Sequence, residues 1–160
     1  MKVREMTLDD LPAVLELEHR LFTDDAWSED TYRGELSDPG GTRHYVVAEE
    51  DGVLAGWAGL AAAGGQGDVL TIGVRPELQG RGLGSSLLTA LLDEAAARRC
   101  AEVFLDVRSD NDRARRLYER FGFTPVGVRK RYYQPSGVDA IVMVRETGPG
   151  GASARRGVDT

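Results

Sequence analysis

The chain has 160 residues, about the length of one domain, and 41% hydrophobic with 29% charged residues supplies a packed core but no apolar stretch long enough to span a membrane. Its 26 acidic against 20 basic side chains leave a net charge of −6, which argues against a general nucleic-acid binder. Cys100 is the single cysteine, so an intrachain disulfide and a cysteine metal cluster are excluded, a reducing cytoplasm is the expected compartment, and Cys100 reads as a small buried hydrophobe.

Taken in chain order, residues 2–6 predict a short strand, and Thr7 with Asp10 three residues later predicts a helix start. Leu11, Val14, Leu15, Leu17 and Leu21 then form one apolar face through about residue 22. Ser28 predicts the cap of a shorter helix reaching Leu36 and ended by Asp38-Pro39-Gly40-Gly41. Residues 44–50 and 53–62 read as strands joined through Asp51-Gly52, a dipeptide suited to a tight hairpin turn. A loop is expected over 64–67 and a strand over 68–74. Leu83, Leu87, Leu88, Leu91, Leu92 and Ala95 then recur at helical spacing. Residues 101–107 predict a strand and 112–120 a helix stopped by Gly122; 124–128 and 140–145 predict a final strand pair around a long loop.

The opening MKVREMTLDD has no apolar run after its charges and does not read as a signal peptide. His19 and His44 lie far apart in no ligand spacing, so no metal site is expected. Residues 147–160 lack apolar periodicity, which predicts a disordered tail after a domain over 1–146. Charge is uneven: residues 1–51 hold fourteen acids against five bases, while residues 98–131 hold nine arginines and Lys130 against five acids. The alternation of elements predicts a mixed α/β sheet, antiparallel at the N-terminal side with a β-helix-β-helix centre.

The most informative stretch is Ile72-Gly73-Val74 followed by Gln79-Gly80-Arg81-Gly82-Leu83-Gly84, which opens into the leucine-rich helix. Glycines permit a sharp turn and close approach, and the helix N-terminus offers free N–H groups with about half a positive charge, to which Arg81 adds a full one. A diphosphate fits such an end. No Gly-Lys-Ser/Thr follows, so this is not a Walker loop, and the full Gly-x-Gly-x-x-Gly of a dinucleotide fold is missing.

Gln79-x-x-Gly82-x-Gly84 after this strand resembles the acetyl-CoA signature of the GNAT superfamily of N-acetyltransferases. The resemblance continues through Phe104-Leu105-Asp106-Val107-Arg108, Asn111 and Leu117-Tyr118-Glu119-Arg120-Phe121-Gly122-Phe123. Trp27-Ser28-Glu29 and Arg129-Lys130-Arg131-Tyr132-Tyr133 resemble the ribosomal-protein alanine N-acetyltransferases of RimI type within that superfamily. It implies a GNAT fold, a mixed central sheet of about seven strands splayed at the middle with about four flanking helices.

The resemblance further implies acetyl-CoA as cosubstrate, with its pantetheine arm against the backbone of Ile72 and Val74, its pyrophosphate over the amides near Arg81, Gly82, Leu83, Gly84 and Ser85, and Gln79 and Gly80 in the same cofactor-binding stretch. Asn111 is expected to hold the arm, to cap the following helix, or both. Tyr118, a phenol of pKa about 10, is implied as the acid that protonates the thiolate; read without the resemblance it is a core tyrosine. Val74 N–H is implied as donor to the thioester oxygen.

Asp106 stands where the RimI type commonly has glutamate. It is the implied general base, one methylene shorter and so acting through water; the other reading is a carboxylate bonded to Arg108 or a loop amide. Trp27, Tyr32, Tyr132 and Tyr133 are implied to line the acceptor cleft, although aromatics at such spacings are more often core.

The implied reaction is direct acetylation of an N-terminal alanine on a small-subunit ribosomal protein. Asp24, Asp25, Glu29 and Glu35 suit that protein's basic N-terminal peptide. Arg113, Arg115, Arg116 and Arg120 either assist the 3′-phosphate or form a wet helix face. Direct nucleic-acid and membrane binding are not expected. Alternatives are acetylation of a small-molecule amine or a protein lysine, and a non-catalytic acetyl-CoA-binding module.

Overall fold

The computed structural model describes residues 1–23 and 25–146; Asp24 and the predicted tail over 147–160 lie outside the described residues. Along the chain run β1 (Lys2–Glu5), α1 (Leu11–Leu21), α2 (Glu29–Ser37), β2 (Arg43–Glu50), β3 (Val53–Ala63), β4 (Gln66–Val74), α3 (Leu83–Ala97), β5 (Glu102–Arg108), α4 (Asp112–Arg120), β6 (Thr124–Tyr133) and β7 (Val138–Glu146). The seven strands form one sheet in the order β1-β2-β3-β4-β5-β7-β6, the mixed α/β architecture expected from the sequence. None of the described helices is long and apolar enough to cross a membrane. The described residues divide into two compact units, Met1–Ala61 with Leu70–Leu91, and Ala62–Val69 with residues 92–146.

In the first unit, β1, β2 and β3 pair antiparallel in sequence. The β2–β3 turn places Asp51 (φ 52°) and Gly52 (φ 76°) both in the left-handed region, as a two-residue hairpin turn requires. Thr7 opens a 3-10 turn, Leu8–Asp10, and α1 begins only after it. Asp10 fastens this start: its Oδ2 accepts the Thr7 N–H at 2.8 Å, and Arg4 donates to Oδ1 and Oδ2 at 2.8 and 2.9 Å. The fork of the guanidinium matches the two carboxylate oxygens and holds Asp10 below the usual carboxylate range. Leu11, Val14 and Leu17 turn the apolar face of α1 into a core with Tyr32, Tyr45, Val47 and Trp57. Ser28 caps α2 as expected, its Oγ accepting the Thr31 N–H at 3.1 Å.

In the second unit the loop expected over 64–67 is shorter, because Gly64 (φ 62°) and Gly65 (φ 82°) complete a two-residue turn and β4 starts at Gln66. β4 pairs with β5 in parallel from Gln66↔Glu102 to Val69↔Leu105. Along β5, Val103, Leu105 and Val107 are buried and the alternate residues half-buried, the period of a strand with one face on the core. β7 pairs antiparallel with β5 and β6. The final strand pair is longer than predicted and its connection is only residues 134–137, so Tyr132 and Tyr133 lie in β6 and not in a loop. A register irregularity between Arg129 and Tyr133 interrupts the alternation, with Arg131 at φ 52° and its N–H donating to Asp139 Oδ1 at 2.9 Å. A bulge of this kind hides a strand from periodicity.

Candidate active site

In the first unit the end of β4 is fixed from beneath. A Cβ on Gly73 would stand 2.6 Å from Trp57 Cη2, and one on Gly56 would stand 2.6 Å from the Gly73 carbonyl oxygen, so both glycines are required by close packing. Arg75 N–H donates to Ala55 O at 2.7 Å, and its Nε and Nη2 both donate to Leu54 O, at 3.1 and 3.0 Å. Gln79 Nε2 reaches back to Val74 O at 3.2 Å. Its side chain therefore braces the peptide following Val74.

Gly80 (φ 86°) and Gly82 (φ 84°) make the turn, and Gly82 O accepts the Ser86 N–H at 3.0 Å, the first bond of α3. The N–H groups of Leu83, Gly84 and Ser85 precede that bond and are the intrahelical orphans that an anion takes. Arg81 is exposed and forms a 3.9 Å ion pair with Glu50.

In the second unit Asp106, Arg108, Arg129, Tyr132 and Tyr133 form a connected group. Arg129 Nε donates to Asp106 Oδ1 at 3.3 Å and its guanidinium lies 5.7 Å from the Tyr132 ring centroid. Arg108 bonds Asp110 at 3.1 Å and lies 5.3 Å from the Tyr133 ring, while the two tyrosine rings meet edge-on at 5.1 Å. The partner of Asp106 is thus Arg129, across two strands, and not the Arg108 of its own motif. Nothing in the spacing of the sequence pointed to Arg129.

Tyr118 on α4 is 5% exposed, with its ring 5.9 Å from that of Phe123. Among the described residues its hydroxyl has no hydrogen-bond partner. Burial, with Tyr133 adding to it, pushes the phenol above its ordinary range, so it stays protonated through neutral pH. Asn111 caps α4, its Oδ1 accepting the Ala114 N–H at 3.1 Å, which leaves the amide NH2 free to donate elsewhere.

The aromatic residues expected at an acceptor cleft separate into different environments. Tyr132 is half exposed. Trp27 is half-buried and tilted against Tyr32 at 5.2 Å. Tyr32 has no exposed surface; its hydroxyl donates to Glu18 Oε1 at 2.5 Å and accepts from Trp57 Nε1 at 2.8 Å. Tyr32 is therefore a core residue supporting Trp27. Glu18, which the sequence reading passed over, is 1% exposed and also accepts the Trp27 N–H on Oε2 at 3.1 Å. Of the acidic residues, Glu29 pairs with Arg33, and Glu35 with Arg43 and the Tyr45 hydroxyl; Asp24 lies outside the described residues. Arg115 pairs with Asp112 on α4. No group of three or more His, Cys, Asp or Glu placed to hold a metal occurs among the described residues.

Comparison with known proteins places this chain in a family. Residues 5–123 match the acetyltransferase (GNAT) family. The N-alpha-acetyltransferase RimI of Mycobacterium tuberculosis is 45% identical over 148 residues, covering 89% of this chain and 90% of that protein. The crystal structure of the ribosomal-protein-S18-alanine N-acetyltransferase from Escherichia coli superposes with a TM-score of 0.81 at 32% identity, over 92% of this chain and 94% of that one. A GNAT superfamily phosphinothricin acetyltransferase from Sinorhizobium meliloti, in complex with AcCoA, shares the fold with a TM-score of 0.80 at 24% identity, over 94% of this chain and 90% of that one.

Proposed function

This chain belongs to the acetyltransferase (GNAT) family and is an N-acetyltransferase, and from that premise we propose that it acetylates the α-amino group of an N-terminal alanine on a small-subunit ribosomal protein, in the cytoplasm. Similarity to an N-alpha-acetyltransferase over nine-tenths of both chains supports the acceptor class. The observation that carries the chemistry is the buried hydroxyl of Tyr118, which has no hydrogen-bond partner among the described residues. A buried hydroxyl without a partner costs about 1–3 kcal/mol, and a donor kept at that cost fits a ligand atom that accepts from it.

Acetyl-CoA supplies an acetyl group activated as a thioester, together with a thiolate able to leave once protonated. Toward it the chain offers complementary groups. The N–H groups of Leu83, Gly84 and Ser85, with Arg81, meet the pyrophosphate. The backbone of Ile72 and Val74, beyond the part of β4 that pairs with β5, bonds the amides of the pantetheine arm, and Val74 N–H polarises the thioester oxygen. Asn111 holds the arm through its free amide NH2. Gln79 acts on Val74 rather than on the cofactor.

Transfer needs a neutral amine. An α-amino group has a pKa of about 7.7–8.0 against about 10.4 for lysine, so a useful fraction is already neutral near pH 7. Asp106 accepts the amine's proton through a water as the new N–C bond forms. Tyr118 gives its proton to the departing sulfur and is reprotonated from solvent. The chain forms no covalent bond to the acetyl group. Trp27, Tyr132 and Tyr133 meet the first residues of a basic acceptor peptide.

The test is mass spectrometry of ribosomal proteins incubated with the enzyme and isotope-labelled acetyl-CoA. Label on the α-nitrogen of an N-terminal alanine supports the reading. Label confined to lysine side chains, or CoA binding without transfer to any protein, overturns it.

A further inference from the structure

Glu18 holds both ends of the segment that joins α1 to α2. Its backbone carbonyl accepts the Phe22 N–H at 2.8 Å, and its carboxylate accepts the Trp27 N–H at 3.1 Å. The other carboxylate oxygen takes the Tyr32 hydroxyl, which in turn accepts from Trp57 Nε1. Trp57 also touches the segment at Phe22, ring to ring at 6.2 Å, and lies flush on Gly73, between the two β4 residues assigned to the pantetheine arm. One buried carboxylate thus ties the backbone of Trp27 to the indole under β4.

Such a carboxylate is a costly way to fill space. Taking it out of water costs several kcal/mol, and an apolar side chain of similar volume would pack there without that penalty. An apolar side chain would also leave the Trp27 N–H and the Tyr32 hydroxyl without acceptors. What the carboxylate provides that packing does not is a fixed orientation for the peptide carrying Trp27. We propose that Glu18 is a positioning residue for the acceptor: through the Trp27 N–H and the Tyr32–Trp57 pair it sets the segment that receives the peptide, which makes it a determinant of acceptor affinity. The inference rests on the reading of Trp27 as an acceptor contact.

Two variants test it. In Glu18→Gln the charge is gone in either orientation of the amide: with its oxygen on the Trp27 N–H the NH2 faces the Tyr32 hydroxyl and reverses that bond, and turned round the NH2 opposes the Trp27 N–H, so the charge-assisted pair is lost. Tyr32→Phe keeps the ring and removes only the hydroxyl link, and it decides the matter if the first variant does not fold. Steady-state kinetics with an alanine-starting peptide and acetyl-CoA, well below the melting midpoint of each variant, are expected to show the peptide KM raised about 10-fold, the effect of one charge-assisted hydrogen bond. The acetyl-CoA KM and kcat change less than about twofold, and hydrogen exchange at the Trp27 amide accelerates by about the same 10-fold. An unchanged peptide KM in an active, folded variant overturns the inference and leaves the proposed function standing. An equal loss in kcat with neither KM altered also overturns it. A wild type inactive on the peptide refutes the proposed function and removes the acceptor role with it.

Discussion

Replacing Tyr118 by phenylalanine separates the chemistry of its hydroxyl from the packing of its ring. The ring keeps its edge contact with Phe123, and the hydroxyl that is removed has no hydrogen-bond partner among the described residues. Deleting an unpaired buried hydroxyl relieves part of a penalty of about 1–3 kcal/mol. For a chain of this size each 1 kcal/mol moves the melting midpoint by about 2–4 °C, so the variant melts at the wild-type temperature or a few degrees above it. Turnover moves the other way. A positioned general acid contributes about 10²–10⁴-fold, so kcat falls at least about 100-fold, close to 2.7 kcal/mol of lost transition-state stabilisation. The assays are a thermal melt and thiol release from acetyl-CoA at saturating peptide. Turnover within about threefold of wild type refutes the assignment of the acid. A melting midpoint lowered by several degrees refutes the claim that the hydroxyl is unpaired in the folded chain.

Asp106→Asn lowers turnover because the proton that the amine releases as the N–C bond forms has lost its acceptor; turnover and a pH profile superimposable on wild type remove Asp106 from the mechanism. Gly73→Ala drives a methyl to 2.6 Å from the fully buried Trp57 ring, an overpacking worth about 1–3 kcal/mol, which thermal denaturation reads as a fall of roughly 3–10 °C. Glu18 predicts a pH dependence with a definite sign. Burial, the first cause, raises its carboxyl above the ordinary glutamate value, with Asp25 adding to the rise and Tyr32, the Trp27 N–H and His19 opposing it. The folded chain therefore keeps a proton that the unfolded chain has released, and this contribution is complete below the unfolded value of about 4.3 and is lost as pH rises through the raised one. Wild type accordingly gains stability over Glu18→Gln as pH falls through the raised value toward the unfolded one, measured by denaturant unfolding; a difference constant between neutral pH and about 4.3 contradicts the buried-carboxylate account.

Local signals were legible where a short stretch of chain settles its own conformation. Ser28, Asn111 and Asp51-Gly52 act through bonds or dihedral angles within three residues, and each does in the structure what its type predicts. The glycine turn before α3 belongs with them. Features that depend on distant partners were hidden. Glu18 sits in the run Leu15-Glu16-Leu17-Glu18, where nothing distinguishes a buried glutamate from an exposed one until Tyr32 arrives from 14 residues away. Arg129 finds Asp106 across 23 residues, and the extent of β6 was obscured by three consecutive charged residues at a bulge held by Asp139. Tyr32 illustrates the reverse error: an aromatic grouped with Trp27 by proximity in sequence proves to be the support beneath it.

The outermost strand, β6, has a bearing on handling the protein. It shows Val126 and Val128 to solvent along a sheet margin, a surface that invites a neighbouring molecule to add its own strand. Pro125 withholds one amide proton, the register breaks twice within ten residues, and Arg129, Lys130 and Arg131 crowd the distal half with cations. A straight incoming β-segment would find neither an uninterrupted template nor a neutral one. Breaks and charges of this kind oppose edge-to-edge strand addition, and engineering that straightened this margin or erased its charges would remove that obstacle.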